Sequence, residues 1–371
     1  MSKSVVRGTH RAVPPRQTWA RVRPFLPAMG ITRVAEVTGL DDIGIPVFQA
    51  VRPGAKTLSV SQGKGITAEL ALVSAVMESI EFWHAEEVPP APLQAAVGEM
   101  APGLPYSVFD LPQHPRSVLS PSTMLEWVAA RPVGEAGTVW VPQDCVRLDS
   151  TRPDRWSPPG LRSNTNGLAS GNTLEEALLH GLYEVLERDL RARAPKGRDG
   201  LEVDLATVTG ASAELIERFH AAEVDVRVHD LTSASGIPCY EAFIWSPHLP
   251  ARCGGCGCHR DPDVALSRAL TEAAQSRATL IAGAREDIPE DSYELMSMRA
   301  RLVSPFTASL PARSFPQDAA IAGSFGEDLG LVAETVAQRA RGGVFWIDLT
   351  RPEFDIPVVK VIAPGLLNEE H

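Results

Sequence analysis

The 371 residues predict an α/β (α+β) body of repeated strand, glycine turn and long helix units packed on β-sheets. Two observations carry that prediction. Gly65-Ile-Thr67, Ala71 and Glu78-Ser-Ile-Glu81 recur as Gly171-Asn-Thr173, Ala177 and Glu184-Val-Leu-Glu187, all at one offset of 106 residues. A third, partial copy lies 194 residues from the first, with Ala265 at the place of Ala71, Glu272 at Glu78 and Gln275 at Glu81. The spacing of the copies favours one compact body with internal repeats over separate domains.

The elements follow in order. Trp19 to Phe25 reads as a short helix and Pro46 to Val51 as a strand. Lys56 to Val60 reads as a second strand, entering the glycine-flanked turn Ser61 to Gly65, and a helix runs from Thr67 to Glu86. Residues 88–135 are rich in proline without a clear period and read as a connector; Val139 to Pro142 is a short strand. A polar loop, Asp149 to Pro159, leads to Ser163–Gly171, after which Thr173 opens the second helix. Val226 to Asp230 and Tyr240 to Trp245 alternate as strands, Gly254 to His259 forms another glycine-rich turn, and Val264 to Ala282 forms the third helix. Residues 285–325 look irregular, and Phe345 to Asp348 and Pro357 to Ile362 close the body as strands.

Composition excludes several classes. Hydrophobic residues make up 44%, enough for a real interior, while a net charge of −11 without a basic block makes nucleic acid a poor partner. Five cysteines are too few for a disulfide framework, so a reducing compartment is expected. Met1 to Pro15 lacks the apolar core of a secretory signal, and the most apolar stretch, Ile356 to Leu367, is broken by two prolines and a lysine. A cytoplasmic protein without a membrane span is the expectation.

The repeated carboxylate pairs are the candidate site. On the first helix Leu70, Val73, Met77, Ile80 and His84 form the expected apolar stripe, with Glu78 and Glu81 beside it over Ala71 and Ser74. No Lys or Arg stands three or four residues from either acid, so no local ion pair is expected. On the second helix Leu174, Leu178, Leu182 and Val185 form the stripe, while Glu176, His180, Glu184 and Glu187 share another face, with Arg188 one turn after Glu184. Each set alone can be a solvated acidic face; the repeated frame favours convergence. Four crowded carboxylates need a cation, and oxygen donors suit Mg2+. The glycine-rich turns ahead of the helices, with Lys64 in the first, offer main-chain N–H groups to phosphate, but they match neither a P-loop nor a Rossmann fingerprint. On the third helix Arg268, Glu272 and Gln275 share a face, and Arg268–Glu272 alone reads as a helix salt bridge. Cys253-Gly-Gly-Cys-Gly-Cys-His259 is half of a zinc site without a partner motif, and no nucleophile motif is present, so covalent catalysis lacks support and no catalytic residue is assigned.

Ser163-Asn-Thr-Asn-Gly-Leu-Ala-Ser-Gly-Asn-Thr-Leu-Glu-Glu-Ala-Leu-Leu-His-Gly-Leu-Tyr-Glu-Val-Leu-Glu-Arg-Asp189 closely resembles the signature of the YcaO family. Gly63-Lys-Gly65 with Ala71, Ser74, Glu78 and Glu81 is similar to that family's first motif, and Gly257 to Arg277 to its third. The resemblance spans nearly the whole chain. It implies an enzyme dependent on ATP and Mg2+ that phosphorylates a peptide backbone amide oxygen, so that a side chain, sulfide or amine attacks the carbon to give an azoline, thioamide or amidine. By motif, Glu78, Glu81, Glu184 and Glu187 would hold Mg2+. Asn172 and Glu176 would line the ATP site, with Lys64 in the preceding turn, and Arg188 and either Arg268 or Arg277 would meet phosphate. Arg11 and Thr18 are similar to a basic residue and a hydroxyl that touch ATP in relatives. Residues 1–50 would then be a segment contributing to the nucleotide site, and 51–371 the catalytic body.

The closing Val358-Val-Lys-Val-Ile-Ala-Pro-Gly-Leu lacks the P-x-P-x-P tail of many azoline-forming relatives and is similar to members that work beside a TfuA protein in thioamidation. No fused substrate-recruiting domain is expected. The favoured expectation is thioamide formation on a ribosomally made precursor peptide with a TfuA-like partner, in a chain compatible with a homodimer. A cyclodehydratase or amidine-forming enzyme is the alternative. From other classes, a non-catalytic scaffold or accessory protein and a metal-dependent hydrolase remain open.

Overall fold

A computed structural model describes residues 3–151, 158–195, 201–232, 236–288, 306, 312–316 and 323–368. The chain opens with a hairpin, β1 (Ser4–Val6) and β2 (Thr9–Arg11), and helix α1 (Pro15–Val22). Strands β3 (Arg33–Glu36), β4 (Val47–Val51) and β5 (Val60–Lys64) then form an antiparallel sheet under α2 (Ala68–Glu86). Next come β6 (Leu93–Ala96), the single turn α3 (Val97–Met100), β7 (Met124–Pro132), β8 (Val139–Pro142) and β9 (Leu168–Ser170), which feeds α4 (Leu174–Arg193). The third unit has β10 (Val203–Asp204), α5 (Gly210–Ala221), then the antiparallel sheet β11 (Asp225–Asp230), β12 (Cys239–Ser246) and β13 (Leu249–Cys258), which feeds α6 (Pro262–Ala282). After β14 (Arg313–Ser314) and α7 (Phe325–Arg339), strands β15 (Phe345–Asp348) and β16 (Val358–Ile362) complete the largest sheet, ordered β6-β7-β15-β16-β9 with β8 against β7. Helices with antiparallel sheets are the mixed α/β class expected. No helix among the described residues is long and apolar enough to cross a membrane.

Each long helix starts at a polar cap directly after its strand. Thr67 accepts from the Leu70 N–H, Thr173 from the Glu176 N–H, and Asp261 from the N–H groups of Asp263 and Val264. A cap of this kind contributes about 1 kcal/mol and fixes where the helical frame begins. Each helix also has its own core. Ile80 of α2 packs with Trp127 and Val358, Leu266 and Leu270 of α6 with Leu215 and Phe219, and Leu182 and Leu186 of α4 with Val332 and Val359.

The glycine-rich segments are strands rather than turns. Gly63 lies in β5, and Gly254, Gly255 and Gly257 lie in β13. A Cβ at Gly63 would stand 1.9 Å from the Ala75 nitrogen, and one at Gly257 would stand 2.1 Å from the Ala265 oxygen. These glycines let a helix backbone lie directly on its strand, a use of glycine that local sequence cannot separate from a turn. The same packing corrects the stripe on α2. Its fully buried face is Ala71, Ala75, Val76 and Ile80, while Leu70, Val73 and Met77 are only partly buried. Small residues face the core because nothing larger fits over a glycine strand. On α4 the stripe holds except at Leu174, which is exposed.

Three further differences concern strands. The strand expected at Lys56 to Val60 begins only at Val60, since Arg52 to Ser59 turn back on themselves through the Arg52 N–H to Ser59 oxygen bond. The supposed connector at 88–135 contains β6 and the nine-residue β7, whose pairing partner β15 lies far along the chain. The cysteine cluster sits within β13, with Cys239 and Cys256 sulfurs 3.9 Å apart and buried. Parts of the stretches expected as a loop at Asp149 to Pro159 and as irregular at 285–325 lie outside the described residues.

Candidate active site

The acids of α2, α4 and α6 are fixed by strands of the neighbouring units. Glu81 on α2 accepts from the Ser170 N–H at 2.8 Å and the Ser170 hydroxyl at 2.6 Å, both from β9. Glu187 on α4 accepts from the Cys258 N–H of β13 at 2.9 Å. Glu272 on α6 meets the Lys64 ammonium of β5 at 2.5 Å. The first unit's helix thus leans on the second unit's strand, the second on the third, and the third on the first. Within the first unit Glu78 also accepts from the Gln62 N–H at 3.1 Å. Glu184 pairs with Arg188 at 2.8 Å, one helical turn on.

The carboxylates keep some exposed surface but act on one another strongly. Burial pushes Glu81 up to about 8, with the charges of Glu78 and Glu184 adding to the shift. Burial raises Glu187 to about 7, helped by Glu272 and Glu184, and raises Glu78 to about 6 against the attraction of Arg285 and Lys64. Burial also works against the Glu272 anion, but the Lys64 charge and hydrogen bond overcome it and hold that carboxyl below its ordinary value. Such mutual shifts mean that the acids from all three helices share one electrostatic neighbourhood.

Beside them lies a second polar knot. Glu176 is buried and accepts from the Asn172 N–H and side-chain amide, both at 3.1 Å, from the Ala12 N–H at 3.2 Å and from Arg11 at 3.4 Å. Thr18 donates to the Asn172 amide oxygen at 2.8 Å. The N-terminal hairpin and α1 are therefore tied to the start of α4. Arg11, Glu176, His180 and Arg268 line one cavity, and Arg268 reaches the His180 ring at 3.0 Å. Burial and Arg268 keep His180 neutral, its pKa well below the ordinary value.

The structure separates the two arginines left open by the sequence. Arg268 faces the cavity, whereas Arg277 is buried, bonded to Asp41 at 3.1 Å and to the Ser246 hydroxyl at 2.9 Å. It also adds residues that the candidate set lacked. Glu272 enters through its coupling to Lys64 and Glu187, and the Gln275 amide oxygen is buried without a hydrogen-bond partner among the described residues. The signal was present, since Glu272 occupies the frame of Glu78 and Gln275 that of Glu81. Anchors such as Ser170 and the Cys258 N–H carried no such signal.

A family model described as YcaO cyclodehydratase, ATP- and Mg2+-binding, matches residues 62–367. The chain belongs to the YcaO family. An uncharacterised protein of Mycobacterium tuberculosis is 41% identical over 364 residues, covering 97% of this chain and 83% of its own. An uncharacterised protein from the tfuA 3′ region of Rhizobium leguminosarum bv. trifolii is 37% identical over 374 residues, covering 96% and 88%. Among solved structures, the YcaO protein of Methanopyrus kandleri bound with AMPPCP and Mg2+ has a TM-score of 0.74 at 27% identity, over 99% of this chain and 95% of that one. A heterocyclase in complex with substrate and cofactor shares the fold with a TM-score of 0.76 at 23% identity, and this chain spans 54% of its length.

The YcaO acids of this chain fit the family's ion. Their donors are carboxylate oxygens, and burial raises Glu78, Glu81 and Glu187, with the charge of other acids of the cluster adding to each shift. Among the described residues no three His, Cys, Asp or Glu side chains form a ready-made metal cage.

Proposed function

We propose that this YcaO protein uses ATP and Mg2+ to activate a backbone amide of a ribosomally made peptide, and that the product is a thioamide formed with a TfuA-type partner. The convergence of acids from three helices beside a cavity lined by Arg11, Glu176, His180 and Arg268 carries this reading. Phosphoryl transfer depends on alignment and charge neutralisation rather than on a protein nucleophile. Glu78, Glu81, Glu184 and Glu187, joined by Glu272, would hold Mg2+, which supplies charge neutralisation for the transferring phosphoryl group. Arg11, Thr18, Asn172 and Glu176 would hold the nucleotide from the side of the N-terminal segment 1–50, while Lys64, Arg188 and Arg268 would meet phosphate from the body 51–371. Arg277, committed to Asp41, is assigned to the fold instead.

The amide oxygen takes the terminal phosphoryl group and leaves as phosphate when the nucleophile bonds to the amide carbon. With sulfide as nucleophile, the oxygen is exchanged for sulfur. The similarity to the protein from the tfuA 3′ region supports the thioamide outcome, and the family description supports ring closure by a neighbouring Cys, Ser or Thr as the second reading. Mass spectrometry of a precursor peptide treated with the enzyme, partner, ATP, Mg2+ and sulfide separates them. Exchange of oxygen for sulfur is the expected result, loss of water indicates an azoline, and an unmodified peptide with no ATP consumed overturns the proposal.

A further inference from the structure

Lys64 is the positive charge common to acids from all three helices. It ends β5 and stands 2.5 Å from Glu272 of α6. The same ammonium is among the charges favouring the anions of Glu78 on α2, Glu187 on α4 and Glu272 on α6, and it disfavours charge on His180. The remaining acids are served differently, Glu81 by Ser170 and Glu184 by Arg188. Only five lysines occur in the chain against thirty arginines, and a lysine is a compact point charge on a flexible stem, able to move between partners. Its position is held by the strand backbone, where Gly63 and Gly65 leave it no neighbouring side chains and seat β5 tightly on α2.

We infer that Lys64 is the built-in counter-ion of the carboxylate cluster, supplying positive charge until Mg2+ arrives with the nucleotide and then turning to the phosphates. This rests on the Mg–ATP reading of the same acids, but goes beyond it by making the lysine a competitor of the metal. Its consequence is ordered loading. A free divalent ion must displace the Lys64 charge, whereas an ion accompanied by triphosphate gives the lysine a new partner as it leaves Glu272. The cluster therefore discriminates against metal alone and accepts metal with nucleotide.

The test is titration of the folded, nucleotide-free protein with Mn2+ as a spectroscopic stand-in, repeated with a non-hydrolysable ATP analogue. K64M is expected to bind Mn2+ alone at least about tenfold more tightly than the wild type, and to lose much of the gain that the analogue confers. R16Q, which removes an exposed arginine paired with Glu69 outside the cluster, should stay near the wild-type value. K64Q gives the same tightening if K64M proves unstable in a thermal melt. Equal or weaker Mn2+ binding by the uncharged variants overturns the counter-ion role while leaving the nucleotide site standing. A wild-type protein that takes up no Mn2+ even with the analogue overturns both readings.

Discussion

Helices α2 and α6 carry their polar residues in the same frame yet have their carboxyls shifted in opposite directions. On α2, burial pushes Glu78 up to about 6 and Glu81 to about 8, with the charge of Glu272 adding to the first shift and those of Glu78 and Glu184 to the second. On α6, Glu272 is held below its ordinary value because Lys64 reaches it, and Gln275 stands where a second acid would be. The duplicated frame decides where a side chain is delivered, and the partner a neighbouring unit offers helps set which way its carboxyl shifts. Ser170 offers hydrogen bonds to Glu81, whereas Lys64 offers a full charge to Glu272.

The sharpest separation on α6 itself comes from its two arginines. R277Q breaks a buried pair with Asp41 and should cost about 3 to 5 kcal/mol of stability, seen as a lower melting temperature. R268Q should leave the melt nearly unchanged and weaken nucleotide binding; the reverse pattern would undo the assignment of Arg277 to the fold. A smaller effect is expected across the cluster. E187Q and E184Q should each lower affinity for the Mg2+–analogue complex on the order of 10²-fold with the fold retained, and unchanged calorimetric affinity in both would remove the acids from the site.

The least dramatic effect concerns pH. A carboxyl raised to about 8 in the folded protein binds a proton that the unfolded chain releases near about 4.3. Between those values the folded state holds more protons, so Glu81 stabilises the metal-free fold fully at the acidic end and loses that contribution as pH rises toward 8. The melting temperature of metal-free protein should therefore fall over this window, with a shallower slope in E81Q. Glu272, shifted the other way, should give E272Q no such flattening. Identical slopes in wild type and E81Q would show that Glu81 is ionised like any surface acid.

Much of the fold and the chemistry was legible in particular residues. Thr67 and Thr173 mark their helix starts within one residue, because a capping hydroxyl acts locally. The E-x-x-E frame was visible because duplication copies spacing. What stayed hidden depends on partners far along the chain. Gly63 and Gly257 read as turn residues because their purpose, contact with Ala75 and Ala265 backbones, belongs to packing. Strand β7 lies in a proline-rich stretch without a clear period and pairs in part with the distant β15, and Arg268 could not be told from Arg277 until Asp41 stood beside the latter.

The cyclic leaning of each unit on the next has a consequence for how this molecule can change. Glu81, Glu187 and Glu272 each take a partner from another copy of the repeat, so no copy is an independent module. A substitution at Ser170, Cys258 or Lys64 is felt by a carboxylate on the helix of another unit.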